Sequence, residues 1–189
     1  MIFWLIAAVI GAYLIITYNS LVNIKHNVAK AWANIDVLLK QRHEELPKLI
    51  DTCKQYMKYE QETLEKVTQA RSRVSDARES HNVVALGVAE NALRSGLGQL
   101  FALAESYPEL KANEQFMHLH ARISGLENAI ADRREFYNDS VNINNVRIEQ
   151  FPDVLIAKIF NFKSSDLLKF ASEELRDVDI SQRFNSLGK

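Results

Sequence analysis

Helix breakers are scarce in this chain. Its 189 residues hold three prolines and six glycines, and neither type occurs between Ala12 and Leu46. Long uninterrupted helices are therefore allowed, and loops of the kind that usually carry catalytic residues are few. No strand-like alternation of apolar and polar residues competes with that reading, and no repeat of fixed period appears. The single cysteine, Cys53, excludes an internal disulfide framework and fits a reducing compartment. It stands on an apolar helical stripe and reads as a packing thiol. Net charge is −1, so no strong electrostatic attraction to nucleic acid or anionic lipid is built in.

Charge is missing altogether ahead of Lys25. The run from Ile2 to Tyr18 is almost wholly apolar, with Ile2, Phe3, Trp4, Leu5, Ile6, Val9, Ile10, Leu14, Ile15 and Ile16 as its lipid-facing candidates. About 20 helical residues at 1.5 Å each match the ~30 Å hydrocarbon core of a bilayer. A cleaved secretory signal fits less well. No basic residue precedes the run, and apolar Leu14–Ile16 follows the small pair Gly11-Ala12. A lipoprotein signal needs a cysteine just after the run. The expectation is an uncleaved signal-anchor over residues 1–18 and a bundle domain over 19–189. Lys25, Lys30 and Lys40 follow the run with only Asp36 opposing them, which places the N-terminus outside and the bundle in the cytoplasm.

Beyond the anchor, apolar residues recur every three or four positions: Val28, Ala31, Ile35, Leu38, Leu46, Leu49, Cys53, Tyr56, Leu64, Val67, Val74, Ala77. This is one face of a long helix, kinked rather than ended by Pro47. Arg78–Asn82 offers the first turn. A second helix is predicted over Val83–Ser106, with Gly87, Gly96 and Gly98 serving close helix–helix approach. Tyr107-Pro108 ends it. A third starts at the N-cap Asn113 and carries Phe116, Leu119, Ile123, Leu126, Ile130, Tyr137, Val141, Ile148 and Phe151. A short apolar segment, Val154–Phe162, and an amphipathic stretch, Leu167–Val178, complete the chain. The fold class is all-α: a single transmembrane helix continuing into an elongated antiparallel bundle of three long helices plus short C-terminal ones. The helices span roughly 75, 36 and 58 Å. The second covers only the distal half of the first, leaving Val28, Trp32, Ile35, Leu38 and Leu39 bare. A stripe of that size calls for a cover, either the C-terminal segment or a second copy. With Phe160 and Phe162, these residues form the candidate interaction surface.

Chemistry-bearing motifs are absent. His118 and His120, two apart, point to different sides of a helix and read as solvent-facing. There is no HExxH, CxxC, P-loop, GxGxxG or GxSxG. No catalytic, metal or cofactor residue is predicted, and no nucleic acid or small-molecule substrate. Arg42 falls on the seam of the first helix. Arg71, Glu105, Glu127 and Arg134 border stripes, and the expectation for all five is structural ion pairs that fix register.

Four blocks of residues resemble the LemA family of small bacterial single-pass membrane proteins. They are Tyr18-Asn19 through Arg42; Tyr56 through Ala70-Arg71; Tyr107-Pro108-Glu109-Leu110-Lys111-Ala112-Asn113 with Arg134-Glu135-Phe136-Tyr137-Asn138; and Phe151-Pro152 with Ile156-Ala157-Lys158 and Phe160. Departures include Leu46-Pro47-Lys48-Leu49-Ile50, Tyr59, Asn144 and Phe160-Asn161-Phe162. The resemblance implies an N-terminal anchor, a soluble helical bundle and no enzyme activity. It also implies a scaffolding or accessory role. A relative occurs among magnetosome-membrane proteins, and some family genes lie near membrane metalloprotease genes. The function expected is a homo-oligomeric scaffold or adaptor in the bacterial inner membrane, touching the lipid bilayer and an unidentified membrane-associated protein. The alternative is an accessory subunit of a membrane enzyme such as a metalloprotease or transporter.

Overall fold

The structure, a computed structural model, describes residues 1–169. Helix α1 runs unbroken over Ile2–Tyr56, 55 residues and about 83 Å. It is followed by α2 (Gln61–Glu79), α3 (Val83–Ala104), α4 (Pro108–Lys111), α5 (Glu114–Glu149) and α6 (Asp153–Ile159). The described residues contain helices and no strand, as the sparse glycine and proline content predicts.

Among the described residues the bundle has four long helices, one more than the sequence pattern indicates. The expected first helix breaks at Met57–Glu60, where α2 turns back along α1. Arg78 of α2 reaches Asp36 of α1, and Arg71 reaches His43. The break escapes detection because Met57-Lys58-Tyr59-Glu60 holds no turn residue. The apolar seam also stays in phase across it, since Met57 and Leu64 are seven apart and both are buried. The distal turn is stitched from the Tyr107–Asn113 block. Tyr107 donates to Glu60 at 3.3 Å, Asn113 donates to the Tyr56 hydroxyl at 3.1 Å, and Leu110 is fully buried.

The other boundaries follow local chemistry. Asn82 caps α3, its side chain accepting from the Ala85 amide at 2.9 Å, and Asn113 caps α5 by accepting from Phe116 at 2.9 Å. His81, at φ 52°, makes the left-handed turn between α2 and α3. Helix α5 spans 36 residues, about 54 Å, and runs antiparallel to α1 down the whole stalk. Ile35 and Leu39 are consequently buried within the chain, and Val28, Trp32 and Leu38 pack against the same core. The Trp32 and Tyr137 rings meet edge-on at 5.7 Å. The expectation that the C-terminal segment or a second copy covers the stalk is thus corrected: the third predicted helix, α5, provides the cover within the chain.

Three further details differ. Phe151, placed on the α5 seam by its spacing, lies beyond the helix end and is exposed. Residues 162–169 carry no regular secondary structure, so the described part of the expected amphipathic stretch, 167–169, is not helical; the rest of Leu167–Val178 lies outside the described residues. Gly87 serves that segment and not a helix. A Cβ there would stand 2.1 Å from the Lys169 carbonyl oxygen, whereas Gly96 faces Val67 of α2 as expected, and Gly98 faces open space.

Candidate functional site

Three helices converge on Arg42. Its side chain is 1% exposed and donates to Glu127 of α5 at 2.5 Å and to Glu90 of α3. Burial alone would lower the Arg42 pKa, but the two carboxylates overcome it and hold the group above its ordinary value. The guanidinium is therefore a permanent cation. Burial pushes the Glu90 carboxyl up, against the pull of Arg42. Arg134, half-buried on the α5 seam, adds positive potential at Glu90, while partial burial and Arg94 lower its own pKa. The expected pairing of Arg42 with an acid is present, and Glu127 is one partner. Glu90 was missed, although its signal was available. It lies four residues after Leu86 in the series Leu86, Glu90, Leu93, Leu97, where an apolar residue belongs.

Arg71 does something other than form an ion pair. A proline at position 47 has no amide proton, so the carbonyl of His43, four residues earlier, loses its helical donor. Arg71 Nε donates to that carbonyl at 3.0 Å, and its Nη2 lies 2.7 Å from His43 Nε2. Because arginine only donates, His43 is the neutral acceptor there with its proton on Nδ1. Burial, then the charges of Arg71 and Arg78, hold its pKa below the ordinary 6.5. The helix continues through Pro47 because a second helix supplies the missing donor.

The remaining polar expectations sort by exposure. Glu105 pairs with Lys111 across the exposed distal turn, where an ion pair contributes little and sets no register. His118 is exposed as expected, but His120 is half-buried, its ring 4.3 Å from Phe101 and stacked on Phe116. Cys53 is buried, and burial pushes its thiol up to about 12.

A feature absent from the sequence reading is a pair of asparagine clamps on α5. Asn138 holds both the amide and the carbonyl of Leu168, at 2.8 and 3.1 Å. Asn145, seven residues on, does the same for Ser165 at 2.9 and 3.0 Å. Tyr137 donates to the Asp166 carbonyl at 3.0 Å. This segment thereby satisfies its backbone on side chains. Asn138 closes the Arg134–Asn138 block of the family resemblance, and its side-chain amide is spent on this clamp.

At the other end, α6 packs against α1 beside the anchor. Tyr13 donates to Asp153 at 3.2 Å, and Asp153 lies 2.9 Å from Arg147, which also reaches Ser20. Leu21, Ile148, Ile156 and Ala157 form a small core with Phe162 against it. Phe160 and Phe162 lie 4.7 and 6.0 Å from the Tyr18 ring. Ile2, Phe3, Trp4, Leu5, Ile6, Val9, Ile10, Leu14, Ile15 and Ile16 stand uncovered by protein on a helix apolar enough to cross a membrane.

The LemA family model matches residues 31–181. The chain belongs to the LemA family. Protein LemA of Metamycoplasma hominis is 28% identical over 168 residues, 88% of this chain and 75% of that protein. Magnetosome protein MamQ 2 of Paramagnetospirillum magneticum is 31% identical over 78 residues, covering 41% of this chain and 29% of its own length. MamQ of Magnetospirillum gryphiswaldense is 32% identical over 75 residues, 40% of this chain and 28% of that protein. The chain thus spans under a third of the magnetosome proteins it matches. LemA membership and the uncovered apolar helix together make this a membrane-associated protein.

Two outcomes follow for the LemA bundle. Arg71→Met should cost about 1–3 kcal/mol by stranding a buried carbonyl, and at least about 1 kcal/mol less in a Pro47→Ala background, where the restored amide takes over. Denaturant unfolding of the full-length variants in detergent measures the coupling; strictly additive effects would refute the role given to Arg71. Arg42→Met should cost about 3–5 kcal/mol by leaving two carboxylates unpaired, and adding Glu90→Leu and Glu127→Gln should recover most of it. A cost below about 0.5 kcal/mol, typical of surface sites, would contradict the buried cluster.

Proposed function

We propose that this chain is a membrane-anchored, non-enzymatic scaffold or adaptor that binds protein partners through the exterior of its helical bundle. The observation that carries this reading is the continuity of α1. One helix leaves the apolar segment and becomes the bundle's spine with no linker between them. A bundle joined this way is held at a set height above the lipid. Its interior polar groups support the reading too, because Arg42 pairs directly with both Glu90 and Glu127, and Arg71 is engaged in completing a helix. Self-association, placed on the stalk by the sequence, has no apolar stripe left there and would have to use the outer surface.

The partners are protein, not nucleic acid, and the bundle faces the cytoplasm, following the lysines after the apolar run. That orientation has a clean test. Cys53 is buried with its thiol pushed up to about 12, so it stays silent toward maleimides. A membrane-impermeant maleimide should label Ile2→Cys in intact cells. Labelling that appears only after lysis would reverse the topology.

Photo-reactive residues at Val37, Tyr59 and Phe136, all exposed on the bundle, test the function in living cells. A discrete adduct at a foreign mass supports the adaptor, and one at twice the chain mass supports a self-assembling scaffold. A stoichiometric adduct with one membrane enzyme would favour the accessory-subunit reading. Absence of protein adducts at every position would refute all three.

A further inference from the structure

Helix α6 has two apolar faces. Asp153, Ile156 and Ala157 turn inward onto α1 and α5 and are buried. On the opposite side Phe151, Leu155 and Ile159, four residues apart, form one outward row at 77, 55 and 75% exposure, with Phe160 beside it at 57%. A contiguous apolar row is not left to water without an occupant. Its height along α1 identifies that occupant. Asp153 bonds Tyr13, inside the apolar run, and Phe160 lies on Tyr18 at its end. Every side chain of α1 at this height precedes Lys25, the first charged one.

We propose that the outer face of α6, with Phe151 and Phe160, is seated in the bilayer at the boundary between headgroups and acyl chains. The spanning helix would then have a second lipid contact beside it. The inference rests on the membrane-anchored reading and adds to it. Three observations agree. Four polar side chains at this height, Tyr13, Asp153, Arg147 and Ser20, are joined in one connected set, which lowers the cost of placing them in a low-dielectric layer. Aromatic rings gather there in the manner of interfacial belts: Tyr13, Tyr18, Phe160 and Phe162. Exposed Lys158 sits in the last turn of α6, and Lys25 and Lys163 line one cavity beside Phe162. Among the described residues these three cations face two exposed acids close by, Glu149 and Asp166, and suit anionic headgroups.

The test uses the full-length protein in nanodiscs of equal parts phosphatidylcholine and phosphatidylglycerol. A polarity-sensitive fluorophore is attached to single cysteines replacing Leu155, Ile159, Ile10 or Tyr59. Nitroxide lipids report acyl contact and iodide reports water. Labels at 155 and 159 should be quenched by nitroxide several-fold more than at 59, and shielded from iodide as at 10. Iodide quenching at 155 and 159 equal to that at 59 would overturn the proposal, as would shielding from both quenchers, which would mean a protein cover. If the label at 10 also fails to meet lipid, the anchor reading itself falls. Protection of the α6 backbone amides from hydrogen exchange in the unlabelled protein, lost on removing lipid into a polar detergent-free scaffold, gives the same answer without a label. Equal exchange with and without lipid would count against the proposal.

Discussion

A single buried cation sets the register of this molecule. Apolar seams on long helices tolerate sliding, because a shift of one heptad brings leucine against leucine again. Arg42 removes that freedom. Its guanidinium cannot be left among hydrocarbon side chains, and its partners stand on two different helices, Glu90 on α3 and Glu127 on α5. Any shift of α1 against either strips a charge of its partner at a cost of several kcal/mol. With α1, α3 and α5 aligned, Arg71 falls opposite His43 and can complete the carbonyl that Pro47 leaves open.

The same register reaches the membrane. From Glu127, α5 descends alongside α1 for another 22 residues (127 to 149), about 33 Å. It brings Arg147 to Ser20 and delivers α6 to Tyr13 and Tyr18. A slip of one heptad at Arg42 would move α6 by about 10 Å along α1. The polar layer in the middle of the bundle therefore decides what lies at its base.

Much of this was legible in the chain. The apolar run, the turn at Arg78–Asn82, the cap Asn113, the stop at Pro108 and the buried Cys53 all follow from local chemistry that tertiary structure leaves intact. The turn at Met57–Glu60 was not legible, because the hydrophobic phase passes through it and the residues that stabilise it, Tyr107 and Asn113, lie about 50 positions away. The cover of the stalk is hidden in the sequence for a related reason: helix lengths can be read from it, but the pairing of α5 with α1 depends on the turn at Met57–Glu60. Glu90 was visible as an acid on an apolar stripe, whereas the clamps at Asn138 and Asn145 were not. An asparagine that holds non-helical backbone has the same sequence signature as one that faces water.

Rigidity links these features to function. A helix joined to a domain by a flexible linker positions nothing, since the domain samples every angle about the joint. Here the spine is continuous, Pro47 is repaired from a neighbouring helix, and the base of the bundle is fastened to the anchor through Asp153 and Arg147. In the scaffold reading proposed above, these devices would hold a surface at a defined distance and angle from lipid, the property on which binding of a partner confined to the same membrane depends.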